Sequence, residues 1–211
     1  MTHEAPRTRT DRLRALTRAP LERSAVIVAR LGLHPDWITV LGLILVAVAA
    51  LFIARGEFLT AGLILLLSLP LDALDGAVAR ASGRTGAFGM VLDSTLDRYA
   101  DGFILAAFSY YFAEQDRADL MVLALASLIG AFLVSYVKAR AEDAKVAVSA
   151  SVGLFTRMER VLALLIMTIA AGLLESIAPL EIGLLILAVG ANLTALQRLR
   201  YVYTTLKDRG D

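Results

Sequence analysis

The sequence predicts an all-α integral membrane bundle of six transmembrane helices, preceded by an amphipathic juxtamembrane helix. Of its 211 residues, 58% are hydrophobic, and the mean hydropathy is +0.69, whereas soluble domains are about half apolar. Six apolar runs are long enough to cross a bilayer, since about 20 helical residues span its hydrocarbon core. We therefore expect two segments: a cytoplasmic juxtamembrane part, residues 1–36, and a six-span domain, residues 37–211.

The N-terminal segment, residues 8–33, mixes leucine, alanine and valine with several arginines. This pattern indicates a helix that lies on the membrane surface; alternatively, it is a basic flank that only sets orientation. His34 and Pro35 then interrupt the pattern, and we expect Asp36 to act as the N-cap of the first span. The expected spans are 37–54, 58–80, 88–113, 119–142, 158–177 and 179–200.

The distribution of positive charge predicts the orientation of the chain. Lysines and arginines cluster before Asp36, between spans two and three, between spans four and five, and after the last span, whereas the opposite side receives Arg55 and Arg117. An excess of these residues stays in the cytoplasm. We therefore expect a multi-pass protein of the cell membrane with both termini in the cytoplasm. The absence of cysteine excludes disulfides and thiolate metal sites.

Polar residues at fixed spacings interrupt spans two and three. Each ionisable group at bilayer depth costs roughly 2.5–3.5 kcal/mol on insertion scales, so these carboxylates need compensation. Spacings of three and four place each aspartate pair on one helix face, and the short 81–87 connection predicts that both pairs meet in one cavity. Clustered carboxylates repel one another and suit Mg²⁺ or Mn²⁺; two such ions would clamp a diphosphate. The motif residues are Asp72, Asp75, Gly76, Ala79, Arg80, Gly89, Asp93 and Asp97.

A cation or proton transporter is the alternative from another class, since transporters also line cavities with aspartates. That alternative explains the carboxylates. It does not explain why Gly76, Arg80 and Gly89 stand at fixed offsets from them.

The stretch from Asp72 to Asp97 resembles the signature of the CDP-alcohol phosphotransferase family at every fixed position. The resemblance implies an enzyme that displaces CMP from a CDP-linked lipid with an acceptor hydroxyl. It implies a homodimer and two Mg²⁺ (or Mn²⁺) ions, with membrane lipid and no nucleic acid as partner. The implied metal ligands are Asp72, Asp75, Asp93 and Asp97, with Asp97 also the general base. The implied CDP-lipid contacts are Asp36, Trp37, Ile38, Thr39, Gly76, Arg80 and Thr85.

Basic residues at three helix ends are candidates for binding the acceptor. Lys138, Arg160 and Arg198 are either snorkelling charges that set orientation or a pocket for a phosphorylated acceptor. Residues 136–142 and 157–160 resemble phosphatidylinositol phosphate synthases of actinobacteria and their archaeal relatives. That likeness implies CDP-diacylglycerol as donor and inositol 1-phosphate as acceptor. The implied phosphate-binding residues are Lys138, Arg157, Arg160 and Arg198.

Other members of the family remain as alternatives. Archaetidylinositol phosphate synthases use an ether-lipid donor. Phosphatidylglycerophosphate synthases usually have proline after the third aspartate and lysine after the fourth, where this chain has Ser94 and Arg98. The segment 146–155 also lacks the glycine pair and the charges expected before Arg157.

Overall fold

The computed structural model describes residues 24–29, 34–84, 86–148 and 152–209, without the side chain of Asp72. Every regular element in these ranges is a helix. The short α1 covers 24–29. The long helices are α2 (Pro35–Ala54), α3 (Phe58–Ala81), α4 (Ala87–Glu114), α5 (Ala118–Asp143), α6 (Arg157–Leu174) and α7 (Ala178–Arg209). The all-α prediction is confirmed, and each expected span corresponds to one long helix.

The six-span count is not established by the helices themselves. Within the described residues, four helices are long and apolar enough to cross a membrane: α2, α3, α5 and α7. Helix α4 carries Asp97, Arg98 and Asp101, and the 18-residue α6 begins with Arg157, Glu159 and Arg160. With this many charged residues, neither helix can be recognised as a span from length and composition alone. Large apolar side chains such as Leu67, Ile166 and Leu196 are exposed, as expected of an integral membrane protein.

At the N-terminal side, one expectation from the sequence is wrong, and a second falls partly outside the described residues. Helix α2 begins at Pro35, so Asp36 lies in the first helical turn and is not the N-cap. Proline is well suited to the first helical position because its φ is already helical and it lacks the N–H that would stay unpaired there. Of the predicted surface helix, only 24–29 falls within the described residues; there Ala25 is buried, while Val26 and Ile27 are exposed.

The chain divides into two compact units, which we describe separately. The first contains 1–44 and 67–96, and the second contains 45–66 and 97–211. In the first unit, Ala25, Ile38, Ala77 and Val78 form a small apolar core.

In the second unit, α5 packs along α7 through small and polar residues. A Cβ at Gly130 would lie 2.9 Å from the backbone nitrogen of Asn192, and the Asn192 amide donates a hydrogen bond of 2.9 Å to the Ala126 carbonyl. Ser127 donates to the carbonyl of Leu184 at 3.3 Å. Close backbone approach combined with interhelical hydrogen bonds is the usual way in which helices associate in lipid.

Glycine also permits a close approach between α3 and α6. A Cβ at Gly172 would lie 2.3 Å from the Leu59 backbone nitrogen, so Gly172→Ala must push two backbones apart. We expect this substitution to lower the free energy of unfolding by about 1–3 kcal/mol, the usual cost of overpacking. Thermal unfolding in detergent measures the change.

Gly102→Ala is the matched control because its added Cβ would be 3.9 Å from the Phe132 ring, an ordinary contact. It should be neutral or slightly stabilising, since alanine favours helix over glycine. Equal unfolding midpoints for the two variants would contradict the close packing at Gly172.

Candidate active site

The first unit holds most of the residues predicted to bind a CDP-linked lipid. Asp75 is 7% exposed on α3, and the Gly76 backbone N–H donates to its carboxylate. A Cβ at Gly76 would lie 3.4 Å from Nη1 of Arg80. Because Gly76 has no side chain, it leaves room for the guanidinium of Arg80 one helical turn away. The buried carboxylate of Asp75 directly precedes this glycine in the sequence.

The start of α2 lies beside the start of α4 in this unit. A Cβ at Gly89 would be 3.9 Å from the Asp36 carboxylate, and that carboxylate also lies 3.3 Å from Nδ1 of His34. Trp37 is exposed, whereas Ile38 is buried in the apolar core. The Ile38 side chain therefore packs inside the protein, and only its backbone remains for a ligand contact.

A cavity of about 330 Å³ lies at the end of α3, lined by Val26, Ala29, Ala81, Ser82 and Arg84. Three of these lining residues, Ala81, Ser82 and Arg84, come shortly after Arg80 in the sequence. Arg80 is itself exposed. Thr85, another predicted nucleotide contact, lies outside the described residues. The first unit therefore combines a buried carboxylate, exposed guanidinium groups and open space at one end of α3.

The second unit contains a charge network of five residues, namely Asp97, Arg98, Asp101, Arg157 and Arg160. The Asp97 carboxylate contacts the Arg157 guanidinium and lies 3.6 Å from Nη2 of Arg98. Arg160 donates from Nη2 to Oδ2 of Asp101 at 2.9 Å, and Nε of Arg98 is 3.8 Å from the same oxygen. Two carboxylates of α4 are thus compensated by three guanidinium groups from α4 and α6.

Arg160 is the least exposed charge of this network. Its side chain is 3% exposed and that of Asp101 is 5% exposed. Among the described residues, neither Nε nor Nη1 of Arg160 has a hydrogen-bond partner. A buried cationic donor without an acceptor is costly, and phosphate oxygens are acceptors that suit a guanidinium.

Arg198 ties α7 to the segment between α5 and α6. Its Nε donates to the Val152 carbonyl at 3.0 Å, and its Nη1 donates to the Val134 carbonyl at 2.9 Å. Nearby, the Phe155 N–H donates to the Thr194 hydroxyl at 2.8 Å. Gly153 has a φ of +116° and passes against Thr194. Nε of Arg198 therefore holds the backbone that leads into α6 and its arginines, while Nη1 binds α5.

The predicted basic pocket is only partly assembled by these contacts. Arg157 and Arg160 belong to the charge network, and Arg198 holds the segment before them. Lys138 instead lies half-exposed on α5, where its Nζ is 3.8 Å from the Glu142 carboxylate at the i+4 position. The spacing of Lys138 and Glu142 in the sequence was the available signal for that local pair.

Two members of the charge network, Asp101 and Arg98, were not expected from the sequence as candidate site residues. The available signal was that Asp101 extends the four-residue spacing of Asp93 and Asp97 by one more turn in an apolar helix. Within the described side chains, which exclude that of Asp72, no three acidic or histidine residues lie close enough to share a metal ion. The four-aspartate metal site therefore stays a prediction.

Comparison with known proteins decides the family. The model of the CDP-alcohol phosphatidyltransferase family matches residues 32–196. The chain belongs to this family. The resemblance predicted from Asp72 to Asp97 is thus confirmed, and the chain is a CDP-alcohol phosphotransferase.

Individual relatives support the same assignment. The transferase is 38% identical over 181 residues to the phosphatidylinositol phosphate synthase of Streptomyces avermitilis, covering 82% of this chain and 74% of the relative. It is 35% identical over 188 residues to the archaetidylinositol phosphate synthase of Pyrococcus horikoshii, covering 89% and 93%.

Solved structures resemble the transferase as well. The crystal structure of the Mycobacterium tuberculosis phosphatidylinositol phosphate synthase with CDP-DAG bound has a TM-score of 0.81 and 30% identity, covering 87% of this chain and 94% of that chain. The same enzyme in complex with manganese and citrate has a TM-score of 0.80 and 31% identity, covering 87% and 89%.

The Arg198 contacts predict that lysine cannot replace this arginine. A lysine has one nitrogen and lacks the planar fork that reaches two carbonyls at once. We expect Arg198→Lys to increase hydrogen exchange across 152–156, measured by mass spectrometry. The exposed Arg200→Lys, two residues away, is the control and should leave exchange unchanged. Wild-type exchange in Arg198→Lys would show that the hydrogen bond to Val152 does not hold the segment.

Proposed function

We propose that this transferase is a phosphatidylinositol phosphate synthase, which transfers a phosphatidyl group from CDP-diacylglycerol to inositol 1-phosphate and releases CMP. The observation that supports this acceptor most strongly is the buried Arg160, whose Nε and Nη1 lack partners among the described residues. A phosphate on the acceptor satisfies these donors, whereas free inositol or serine offers no such group. The names of the relatives agree with this acceptor.

Arg157 and Arg198 complete the proposed acceptor site within the second unit. Arg157 is 37% exposed and can reach an incoming anion, while Arg198 holds the backbone segment before α6. We include Lys138 as a more exposed contributor, since its flexible side chain forms only a surface pair with Glu142. The charge network carries three arginines against two aspartates, and the remaining positive charge attracts a phosphorylated acceptor.

We propose that Asp72, Asp75, Asp93 and Asp97 hold two Mg²⁺ or Mn²⁺ ions. The donor set fits, because carboxylate oxygens are the ligands that these ions prefer, and a related structure is a complex with manganese. When bound, the ions supply positive charge that stabilises the reacting diphosphate. The first unit would bind the CDP headgroup through the starts of α2 and α4 and through Gly76, Arg80 and Thr85.

Asp97 is the proposed general base. Its carboxylate accepts the proton of the acceptor hydroxyl, whose oxygen forms a bond to the lipid-side phosphorus as the bond from that phosphorus to CMP breaks. A carboxylate is a weak base for an alcohol, so positioning must contribute much of the rate. Asp97 is mostly buried and contacts Arg157 and Arg98, and this contact with a proposed acceptor residue supports its role as the base.

We further propose that all six long helices span the cell membrane, with both termini in the cytoplasm. The charges that lower the hydropathy of α4 and α6 pair with one another, since Asp97 and Asp101 contact Arg157 and Arg160. Internal pairing of this kind makes charged helices tolerable in lipid. The proposed assembly is a homodimer, as the family resemblance implies.

One assay tests the function. Purified protein with labelled CDP-diacylglycerol and Mg²⁺ receives inositol 1-phosphate, free inositol, glycerol 3-phosphate and serine in separate reactions. We expect CMP release with inositol 1-phosphate alone, because free inositol and serine lack the phosphate and glycerol 3-phosphate lacks the inositol ring. The Asp97→Asn variant is the control and should release no CMP with any acceptor.

Release with glycerol 3-phosphate instead would identify a phosphatidylglycerophosphate synthase, and ion flux in liposomes without any CDP-lipid would favour a transporter. The relative from Pyrococcus horikoshii makes an ether-lipid donor a specific second candidate. Parallel reactions with the ether analogue of the CDP-lipid distinguish the two donors.

A further inference from the structure

We propose that Asp101 is a positioning residue that orients Arg160 for the phosphate of the acceptor. The inference rests on the proposed function and adds a residue to it. Asp101 lies one helical turn beyond Asp97 on α4, outside the family motif, and it would act through Arg160 without touching the substrate itself.

The geometry of the pair is the first support. Nη2 of Arg160 donates to Oδ2 of Asp101 at 2.9 Å, and both side chains are almost fully buried, at 3% and 5% exposed. The contact joins α4 to the first turn of α6, across 59 positions of sequence. An arginine side chain has several rotatable bonds, and this hydrogen bond fixes its far end.

The way in which Arg160 uses its nitrogen atoms is the second support. Asp101 binds Nη2, whereas Nε and Nη1 have no partner among the described residues. The carboxylate thus holds one corner of the planar guanidinium and leaves the other two nitrogen atoms for an acceptor. Fixing the donors in advance reduces the entropy lost when the phosphate binds.

The charge balance around Asp101 is the third support. Arg98 places its Nε 3.8 Å from the same Asp101 oxygen, and Arg157 contacts Asp97 on the preceding turn. Without the Asp101 charge, three arginines would share a single carboxylate, and repulsion would drive Arg160 away from Arg98. Asp101 therefore holds Arg160 on α4 without drawing on the Asp97 carboxylate.

A structural role alone is the competing explanation. Buried ion pairs often contribute little net stability because desolvation offsets their attraction, although removing one partner is destabilising. The two roles differ in what they change. A positioning role affects the KM of the acceptor through Arg160, whereas a structural role affects both substrates and does not require Arg160.

A double-mutant cycle in full-length protein separates these roles. The variants are Asp101→Asn, Arg160→Gln and their combination, and the measurements are kcat and the KM of each substrate. We expect Asp101→Asn to raise the KM of inositol 1-phosphate about tenfold, the order expected for a charged hydrogen bond, and to leave the KM of CDP-diacylglycerol within about twofold. In the Arg160→Gln background, Asp101→Asn should change the acceptor KM little further, because its target is gone.

Asp119→Asn is the matched control. It removes another aspartate–arginine pair, with Arg117 at 2.8 Å, on an exposed part of α5, and it should leave both KM values unchanged. Asp101→Glu keeps the charge but displaces the carboxylate by one methylene, so it should raise the acceptor KM less than Asp101→Asn.

Additive effects in the cycle, or equal increases in both KM values, would overturn the proposal. If Asp101→Asn does not fold, Asp101→Glu is judged by the same two criteria. Failure of both variants to fold, while Asp119→Asn folds, would assign Asp101 to stability alone. Wild-type protein that is inactive with inositol 1-phosphate would instead refute the proposed function, independently of Asp101.

Discussion

Charge compensation inside apolar helices is the constraint on which the rest of this structure depends. Charged side chains in a lipid environment need partners from the protein or from a ligand. Here, Asp97 and Asp101 on α4 receive arginines from the first turn of α6. The pairing joins the two helices that are too polar to be recognised as spans, and it gathers basic groups next to the carboxylate proposed as the base. The fold and the proposed chemistry thus rest on the same contacts.

Apolar run length was enough to predict the helices. The predicted spans follow the observed helices closely, because each run is bounded by charges or a turn. The exception is α7, which continues to Arg209, past the expected end at 200. Hydropathy could not reveal this extension, since residues 201–209 are largely polar. Val202 and Leu206 instead pack against Val146 and Val148 from the segment after α5, and that long-range contact is invisible in a local pattern.

The candidate site was predictable where its signal is local. The spacing from Asp72 to Asp97 identified the family, and the basic residues near 157–160 indicated a phosphorylated acceptor. Which charges pair was not predictable, because Arg160 and Asp101 are far apart in sequence. Arg198 was expected to bind phosphate, yet two of its nitrogen atoms hold backbone carbonyls. Lys138 was grouped with these residues, yet it pairs with Glu142 on its own helix.

In the proposed acceptor site, the buried Arg160, held by Asp101, receives the acceptor phosphate. An experimental structure of the transferase with Mn²⁺ and inositol 1-phosphate tests it most directly. We expect phosphate oxygens within hydrogen-bond distance of Nε or Nη1 of Arg160, while Nη2 still donates to Asp101. A phosphate bound elsewhere, with Arg160 contacting only Asp101, would contradict it.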